Sequence, residues 1–555
     1  MNLVKGFPST SQDDYPLNVT NIVKHANRNF GRQEIVSRKH SGAFHRYTYN
    51  DAYNRMKQLG NALRKLDVQV GDRVGVLAWN THENYEIYFG VPGTGAVMLL
   101  LNLRLTPQDL AWIINHAEAK YIIVDETLLP LAQGVAANCP TVKGYVVITD
   151  KDLSDVQTDL SPVYKYDDLL AAEKPDFEWP LMEETSAYAA CYTTGTTGRP
   201  KGVYYSHRDV YLHTVTIAAN AEISIQDSFL QLVPMFHALG WGLPQAATMV
   251  GAKIVFPGMY ALDRLGELAD IMVQEDVNVS AGAPALFLPM LEHVKKMDKM
   301  PDLSGARFLS GATEPPVSMM KGYWDLTGAD IIHAYGATET TPLVTVNKLK
   351  PWLGKELSED DKWDLRRKQG YTVVGLDIRI IGMDGQALPH DGQSSGEIQI
   401  RGPWITGSYY NAPGSEEQFT EDGYWKSGDA GTIDPEGYLK ITDRVKDLIK
   451  SGGEWISSVD MENEILSHPA VLEAAVAGVT HPKWQERPLA LVVLRDEYKD
   501  KATADDIRDH LARKFAKWQL PDEVLFVDAI PKTSVGKIDK KVIRAEYKDQ
   551  YHLNP

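Results

Sequence analysis

Short apolar runs rich in β-branched residues recur through the first three quarters of the chain. They begin at Arg73 (RVGVLAW), Tyr121 (YIIVDE), Gly144 (GYVVITD), Ala252 (AKIVFPG) and Ala329 (ADIIHAYG). Helix-like patterns lie between several of them, for example in residues 51–66 and 263–275. This alternation predicts α/β units layered on largely parallel sheets, in which ligands bind beyond the carboxyl ends of the strands.

The pattern changes twice toward the end of the chain. From Gly375, apolar and polar residues alternate between Asp-Gly turns, which predicts an antiparallel, β-rich subdomain. Near Asp443 the chain changes to charged helix (residues 505–515) and short strands (residues 489–494), which predicts a separate α+β domain. We therefore predict an N-terminal domain over residues 1–445 and a C-terminal domain over residues 446–555.

Composition excludes several classes of protein. The 555 residues are 43% hydrophobic and 24% charged, which is ordinary for a globular chain. The formal net charge is −17, so a basic nucleic-acid-binding surface is not expected and an anionic ligand needs a local positive site. Cys139 and Cys191 are the only cysteines, which argues against a disulfide framework or a cysteine-rich metal site.

The lengths of the apolar stretches indicate where the protein resides. The amino terminus lacks an apolar stretch of signal-peptide length. The apolar run Ala96–Leu101 is far shorter than the ~20 residues that span a bilayer. We predict a cytoplasmic protein without a transmembrane segment.

The stretch YTTGTTGRPKG (Tyr192–Gly202) consists almost entirely of hydroxyl residues and glycines and ends near one lysine. Two interpretations are open. Such a stretch is typical of a surface turn, but glycine N–H groups, hydroxyls and a lysine also suit a phosphate-binding loop. It is not a Walker A loop, because Gly195 and Gly198 are too close together and Lys201 is followed by glycine.

Four further segments carry candidate chemistry, and each has an ordinary structural alternative. In HAYGATETTP (residues 333–342), Glu339 either starts a helix or binds Mg²⁺. In GYWKSGD (residues 423–429), Asp429 follows a Ser-Gly turn and either stabilises it or accepts ribose hydroxyls. DRVKD (residues 443–447), followed by SGGEW (residues 451–455), is a linker or a hinge. In IPKTSVGKIDKK (residues 530–541), Lys537 is a solvated charge or a functional lysine.

Together and in this order, the five motifs resemble the ANL superfamily of adenylate-forming enzymes, which includes acyl-CoA synthetases, nonribosomal adenylation domains and luciferases. The resemblance extends from about Asn50 to Lys541. It implies a large N-terminal domain of layered α/β sheets with a β-rich subdomain, and a small mobile C-terminal domain that turns about a hinge at Lys446. It also implies ATP, Mg²⁺ and coenzyme A as ligands.

The resemblance further implies roles for individual residues. The catalytic residues would be Lys537, Glu339, Thr193 and His237, with Glu339 and Thr193 at the metal. The residues that would bind ATP or AMP are Thr193, Thr194, Gly195, Thr196, Thr197, Lys201, Gly311, Ala312, Thr313, His333, Ala334, Tyr335, Gly336, Thr338, Asp429, Arg444, Lys446 and Lys450. Gly452 and Gly453 would line the path of CoA.

The segment VPMFHALGWGLP (residues 233–244) resembles the part of the family that contacts the acid. Amino-acid-activating relatives have an Asp after the Phe, where it pairs with the substrate ammonium; His237 stands there, so an amino acid is disfavoured. Trp241, four residues later, is expected on the same face as His237. The residues that would contact the acyl group are His237, Ala238, Trp241, Gly311 and Trp455.

This resemblance predicts a medium- to long-chain fatty acyl-CoA synthetase. The alternatives are a CoA ligase for an aryl, short-chain or substituted acid, an adenylation module that loads a carrier protein, and a non-catalytic binding protein. No carrier-like segment follows Lys541, which disfavours the module. A non-catalytic binding protein would be expected to lose Lys537 or Glu339, and both are present. Similarity to bacterial fatty acyl-CoA synthetases also predicts a homodimer formed through the large N-terminal domain.

Overall fold

A computed structural model describes residues 4–12, 14–193, 199–451, 454–499, 501–531 and 538–553. The chain forms two compact units. Unit 1 comprises Met1–Asp377 and Arg401–Trp425, and unit 2 comprises Ile378–Ile400 and Lys426–Pro555. The predicted domain boundary after residue 445 separates parts expected to move independently. Compactness does not report motion, so this boundary stays a prediction.

The helices and strands of unit 1 are, in chain order, α1 (Thr20–Phe30), β1 (Glu34–Arg38), β2 (Phe44–Thr48), α2 (Tyr49–Lys65), β3 (Arg73–Leu77), α3 (His82–Gly93), β4 (Val97–Leu100), α4 (Pro107–His116), β5 (Ala119–Asp125), α5 (Leu129–Ala136), β6 (Gly144–Ile148), β7 (Val163–Lys165), α6 (Tyr166–Ala171), β8 (Ala187–Tyr192), β9 (Gly202–Ser206), α7 (His207–Asn220), β10 (Ser228–Leu230), α8 (Leu243–Val250), β11 (Lys253–Phe256), α9 (Gly266–Gln274), β12 (Val279–Gly282), α10 (Pro284–Val294), β13 (Arg307–Ser310), α11 (Val317–Thr327), β14 (Asp330–Gly336), β15 (Leu343–Val346), α12 (Leu353–Glu356), α13 (Glu359–Arg367) and β16 (Gly370–Thr372).

The helices and strands that lie wholly or mostly in unit 2 are β17 (Asp377–Ile381), β18 (Gly396–Arg401), β19 (Trp425–Ile433), β20 (Tyr438–Arg444), β21 (Ile449–Ser451), β22 (Glu454–Ile456), α14 (Ser458–Leu466), β23 (Val471–His481), β24 (Gln485–Leu494), α15 (Ala504–Leu511), β25 (Glu523–Phe526), α16 (Lys540–Glu546) and α17 (Gln550–Leu553).

Unit 1 is built on two sheets. One has the strand order β7-β6-β5-β3-β4-β8-β9 and is parallel except for β9, which runs antiparallel to β8. In the other, β1, β11, β10, β12, β13 and β14 are parallel neighbours, and β2 and β15 add antiparallel strands beside β1 and β14. The predicted layered α/β architecture is confirmed.

Both faces of the seven-stranded sheet are buried. Along β4, Val97 and Leu99 pack into one apolar cluster, whereas Met98 and Leu100 pack into another. Burial on both faces explains why the strands of parallel sheets read as continuous apolar runs rather than as alternating ones. The run at Ala96–Leu101 is therefore a core strand and its flanks.

Helix starts follow from local sequence. α2, α7 and α15 each begin at a capping box in which a Ser or Thr oxygen accepts the N–H of an Asp three residues on, and the Asp carboxylate accepts the N–H of the cap. α15 ends at Leu511, earlier than the predicted Phe515. Within the described part of the chain, no helix has both the length and the apolarity needed to cross a membrane.

In unit 2, β17 to β20 are neighbours in sequence order, and β19 and β20 pair antiparallel. A second sheet has the order β22-β21-β24-β23, with β25 parallel to β24. The strands β23 and β24 form a long antiparallel pair. Two apolar clusters include residues of both strands. The predicted change from α/β layers to a β-rich part and then to α+β structure is confirmed.

Candidate active site

The stretch from Tyr192 to Gly202 joins β8 to β9. The backbone N–H of Thr193 donates to the carbonyl oxygen of Lys201 at 2.9 Å, and the N–H of Lys201 donates to Thr193 Oγ1 at 3.3 Å. These bonds hold the first hydroxyl and the lysine of the predicted phosphate loop together at its base. Four predicted phosphate contacts lie outside the described residues: Thr194, Gly195, Thr196 and Thr197.

Tyr409 connects two predicted site residues that are far apart in sequence. Its hydroxyl donates to Glu339 Oε1 at 2.7 Å, and Lys201 Nζ lies 4.8 Å from the centre of its ring. Burial and the nearby Glu339 charge raise the pKa of Tyr409, so the hydroxyl is protonated at neutral pH and can donate. An ammonium over an aromatic face is attracted by the ring quadrupole. The structure thus brings Lys201 and Glu339 to one tyrosine.

The backbone around Glu339 is also fixed. Residues 338–340 form one 3₁₀ turn after β14. The N–H of Thr406 donates to the carbonyl oxygen of Glu339 at 2.8 Å, and the Tyr205 hydroxyl donates to that of Thr338 at 2.7 Å. Because both the backbone and the carboxylate are held, the second carboxylate oxygen has a defined direction.

The donor chemistry of Glu339 and Thr193 suits Mg²⁺, which takes one or two protein oxygens together with substrate phosphate oxygens. A site of this kind needs few protein ligands. Among the described residues, no group of three or more His, Cys, Asp or Glu side chains is placed to hold a metal ion. Binding of Mg²⁺ by Glu339 and Thr193 stays a prediction.

The two segments predicted to enclose adenine are neighbours. One segment directly follows β13, and the other ends the neighbouring parallel strand β14. Ser310 of β13 pairs with His333 of β14. A Cβ added to Gly311 would lie 3.0 Å from the carbonyl oxygen of Ala334, so the two chains approach closely. Ala312 has φ of 68°, a left-handed conformation that turns the chain directly after β13. The described residues Gly311, Ala312, Thr313, Ala334, Tyr335 and Gly336 therefore lie at one edge of the sheet.

His333 contacts the backbone of its own unit. Its Nδ1 lies 2.6 Å from the carbonyl oxygen of Arg367, so Nδ1 carries the proton and donates. Burial lowers the pKa of His333 to about 4, which keeps the ring neutral at pH 7. Nδ1 is therefore engaged within the protein. The predicted contact of His333 with the nucleotide stays a prediction.

The predicted acid-binding segment contains a left-handed turn. The φ angles of Ala238, Leu239, Gly240, Trp241 and Gly242 are 33°, 53°, 59°, 60° and 75°. The expectation that Trp241 shares a face with His237 stays a prediction, and the backbone between them is left-handed. Left-handed backbone is costly for residues with a Cβ, so surrounding contacts must stabilise this turn.

Close approaches of buried side chains and of a neighbouring segment surround the turn. A Cβ on Gly242 would lie 2.5 Å from His213 Cε1, and a Cβ on Gly240 would lie 2.9 Å from Gln231 Nε2. The ring of Trp241 would also be 2.8 Å from a Cβ on Gly311. The two glycines let the turn approach buried side chains, and Trp241 reaches the predicted adenine segment.

His213, on α7, is a neutral support for the turn. Its Nε2 accepts the backbone N–H of Leu343 at 3.1 Å, which places the proton on Nδ1. Complete burial lowers the pKa of His213 to about 3. The ring therefore remains uncharged under Gly242 at neutral pH.

A cavity of about 30 Å³ lies beside His237. Its walls include Ala238 from the turn, Tyr192 from the start of the phosphate loop, and Thr338 from the Glu339 segment. Three predicted site regions of unit 1 thus face one space.

In unit 2, Asp429 and Arg444 face each other across β19 and β20, with Arg444 Nε 2.9 Å from Asp429 Oδ1. Asp429 is buried, whereas 59% of the Arg444 side chain is exposed. The sequence predicted Asp429 just after a turn, but it lies within β19, where Gly428 has φ of 68°. The structure pairs these two residues, and their contact with ribose stays a prediction.

The other predicted residues of unit 2 lie near the end of β20 and in the hairpin that follows. Lys446 lies in a turn closed by the N–H of Asp447 donating to the carbonyl oxygen of Arg444 at 2.8 Å. Lys450 pairs with Trp455 across β21 and β22. Gly452, Gly453 and Lys537 lie outside the described residues, so the roles proposed for them stay predictions.

Sequence reasoning missed Tyr409 and His213. Tyr409 stands in the loop SYYN (residues 408–411), which has no recognisable spacing to Glu339. His213 lies on a helix that the motifs do not reach. Neither residue had a local signal, because their partners are 70 and 130 positions away.

Family models match most of the chain. The model of AMP-binding enzymes matches residues 23–410, and that of the AMP-binding enzyme C-terminal domain matches residues 460–537. The crystal structure of ATP-bound MatB from Rhodopseudomonas palustris has a TM-score of 0.77 and 25% identity, covering 96% of this chain and 100% of that one. The predicted fold class is confirmed.

Three curated relatives match over nearly their full length. A long-chain-fatty-acid–CoA ligase of Thermus thermophilus is 42% identical over 99% of this chain and 98% of its own. A 3-methylmercaptopropionyl-CoA ligase of Ruegeria lacuscaerulensis is 38% identical over 96% and 98%, respectively. A medium-chain-fatty-acid–CoA ligase of Ectopseudomonas oleovorans is 37% identical over 96% of each chain. The predicted acid–thiol ligase class is confirmed, and the chain belongs to the family of AMP-binding enzymes.

Proposed function

We propose that this protein is an acyl-CoA synthetase that activates a carboxylic acid with ATP and transfers the acyl group to CoA. The observation that carries the proposal is the convergence of Lys201 and Glu339 on Tyr409, at the base of the predicted phosphate loop. A cation for phosphate and a held carboxylate for a metal are the groups that phosphoryl-transfer chemistry needs.

In the first reaction, a carboxylate oxygen of the acid attacks the α-phosphorus of ATP. The bond from that phosphorus to the bridging oxygen breaks, and pyrophosphate leaves. A carboxylic acid with a pKa of ~4–5 is already ionised at neutral pH, so the attack needs no general base. Repulsion between the carboxylate and the phosphates opposes it.

Positive charge and hydrogen-bond donors relieve this repulsion. We assign the phosphates to Thr193 and Lys201, and the counter-charge beside the attacking oxygen to Lys537. Preorganised charge of this kind is among the largest contributions to catalysis. Bound to Glu339, Mg²⁺ would neutralise phosphate charge and orient the phosphates.

In the second reaction, the CoA thiol attacks the acyl carbon of the acyl-adenylate. The carbon–oxygen bond to AMP breaks, AMP leaves as the phosphate anion, and the thiol proton passes to solvent. We assign adenine to the chains around Gly311 and Ala334, and ribose to Asp429 and Arg444. Gly452 and Gly453 are assigned to the pantetheine path because glycines leave room for a narrow chain.

We assign the acid to the segment around His237 and propose a medium- to long-chain fatty acid. The identities of 42% and 37% to long- and medium-chain ligases support this choice. The neutral surroundings also support it, since the turn carries Ala238 and Leu239 and has no carboxylate that would bind an ammonium group.

A second acid class has specific support. A 3-methylmercaptopropionyl-CoA ligase is 38% identical over 98% of its length, and the bulky ring of Trp241 packs closely on Gly311 in the segment assigned to the acid. The two classes differ in the chain length at which activity peaks.

The test is pyrophosphate release from a panel of acids, with and without CoA. The panel contains straight-chain fatty acids of graded length, 3-methylmercaptopropionate, an aromatic acid and an amino acid. We expect release that requires both ATP and an acid, acyl-CoA formation only with CoA, and a peak among medium or long chains. A peak at 3-methylmercaptopropionate would favour the second class, and no acid-dependent release would refute the function.

We further propose that the enzyme works in the cytoplasm and forms a homodimer through its large N-terminal domain. The dimer is supported only by resemblance to bacterial fatty acyl-CoA synthetases, and light scattering well above the chain mass of 61.8 kDa would support it.

A further inference from the structure

The acid-binding segment, defined as residues 231–242, is held by one buried asparagine outside it. Asn80 follows β3 and is 4% exposed. Its Nδ2 donates to the carbonyl oxygens of Gln231 at 2.8 Å and Val233 at 2.9 Å, and its Oδ1 accepts the N–H of Met235 at 2.9 Å. A single side chain thus satisfies three peptide groups of the segment.

These peptide groups lie outside the helices and strands, so they do not take part in regular backbone hydrogen bonding. β10 ends at Leu230 and the left-handed turn begins at Ala238, so the residues between them form neither a helix nor a strand. Buried N–H and C=O groups must be paired to avoid a large penalty. Here the side chain of Asn80 replaces the missing strand partner.

A second buried side chain acts at the same place. The hydroxyl of Tyr88, on α3, donates to the carbonyl oxygen of Met235. Tyr88 is itself fixed, because the Tyr188 hydroxyl donates to its backbone oxygen at 2.6 Å. Met235 is therefore held at its N–H by Asn80 and at its C=O by Tyr88.

The hold on residues 231–235 extends to the turn. Gln231 Nε2 donates to the carbonyl oxygens of Val233 at 2.6 Å and Gly240 at 3.3 Å. Gly240 lies between His237 and Trp241, the residues assigned to the acid. A shift of the segment at Val233 must therefore move this turn.

We propose that Asn80 is a positioning residue for the acid site: it sets the place of His237 and Trp241 through the segment, without contacting the acid. The inference rests on the proposed acid-binding role of that segment. Loss of the side chain would leave the carbonyl oxygen of Gln231 and the N–H of Met235 without a partner and the carbonyl oxygen of Val233 with Gln231 Nε2 alone, and the segment would relax to pair them.

The test compares three variants in the full-length protein. Asn80→Ala removes all three bonds, and Tyr88→Phe removes only the bond to Met235. Asn84→Ala is the matched control, because Asn84 is also buried and lies nearby in the first turn of α3, but its Nδ2 donates to the carbonyl oxygen of Trp79 at 3.0 Å and not to the segment. Hydrogen exchange of residues 231–242, read by mass spectrometry, is measured beside KM for each acid and for ATP.

We expect Asn80→Ala to exchange on the order of tenfold faster across residues 231–242, and to raise KM for the best acid by a similar factor. The order of preference among acids should change, while KM for ATP should not. Tyr88→Phe should shift exchange and KM in the same direction by less. Asn84→Ala should lower stability without altering exchange of the segment or acid preference.

Equal exchange of the segment in Asn80→Ala and Asn84→Ala would overturn the proposal. Faster exchange with unchanged acid KM and preference would overturn it as well, by separating the segment from acid binding. If the wild-type protein activates no acid, the proposed function fails, and the exchange result still decides whether Asn80 holds the segment. Since Tyr88→Phe is a milder change, it keeps the test decisive if Asn80→Ala does not fold.

Discussion

The Tyr409→Phe variant tests whether the contact between Tyr409 and Glu339 serves the nucleotide site. The change removes one hydroxyl and keeps the ring over which Lys201 Nζ lies at 4.8 Å. The hydroxyl donates to Glu339 Oε1 at 2.7 Å and accepts the N–H of Trp425 Nε1 at 3.2 Å. Both bonds are lost together.

The magnitude follows from the type of bond. A hydrogen bond to a charged group contributes about 1.5–3 kcal/mol, which corresponds to more than tenfold in an equilibrium constant. Glu339 is partly exposed, so water replaces part of this contribution. We expect kcat/KM for MgATP in adenylation to fall about tenfold. The buried Trp425 N–H loses its partner, so the free energy of unfolding should also fall by about 1–3 kcal/mol.

The assay is acid-dependent pyrophosphate exchange at varied MgATP, with urea unfolding measured in parallel. The matched control is Tyr166→Phe, which removes a buried tyrosine hydroxyl that donates to Glu86 Oε2 at 2.9 Å, remote from the predicted site residues in sequence. The control should lose comparable stability but keep its kcat/KM. Equal kcat/KM in Tyr409→Phe and Tyr166→Phe would refute the reasoning, because Tyr409 would then support the fold alone.

Four further changes test the other assignments. Lys537→Ala should reduce adenylation far more than thioester formation from supplied acyl-adenylate, and equal losses in the two half-reactions would make Lys537 a structural residue. Glu339→Gln should raise the Mg²⁺ concentration needed for half-maximal adenylation, because an amide is a poorer ligand for a hard cation; an unchanged titration would remove Glu339 from the metal site. Gly311→Ala should lower kcat/KM for the acid about tenfold, since its Cβ would lie 2.8 Å from the Trp241 ring, and wild-type kinetics would show that the ring moves freely. In His213→Gln, the amide oxygen can still accept the Leu343 N–H. Burial lowers the pKa of His213 from 6.5 to about 3 in the folded state, so the unfolded chain takes up its proton first and stability is lost as the pH falls below 6.5. Urea unfolding should therefore show that the wild type loses about 2 kcal/mol more than His213→Gln between pH 7.5 and pH 5, and equal losses would contradict this.

Local sequence was sufficient to predict several of the strands and the change from α/β layers to β-rich and α+β structure. The apolar runs at Arg73 and Tyr121 are β3 and β5, because a strand buried on both faces must be apolar throughout. Capping residues such as Ser206 define helix starts within one turn, a distance over which the sequence alone acts. The motifs likewise indicated candidate site residues, since loops after parallel strands meet at one edge of a sheet.

Only the tertiary structure decided which side chains meet and how the acid-binding segment is shaped. Tyr409 reaches Glu339, and Asn80 reaches Met235, because strands distant in sequence are neighbours in the folded units. The left-handed turn at Trp241 contradicts local preference, which favours right-handed backbone for residues with a Cβ. Its stability comes from packing on His213 and Gln231, and such contacts depend on sheet order and burial, which neither periodicity nor spacing encodes.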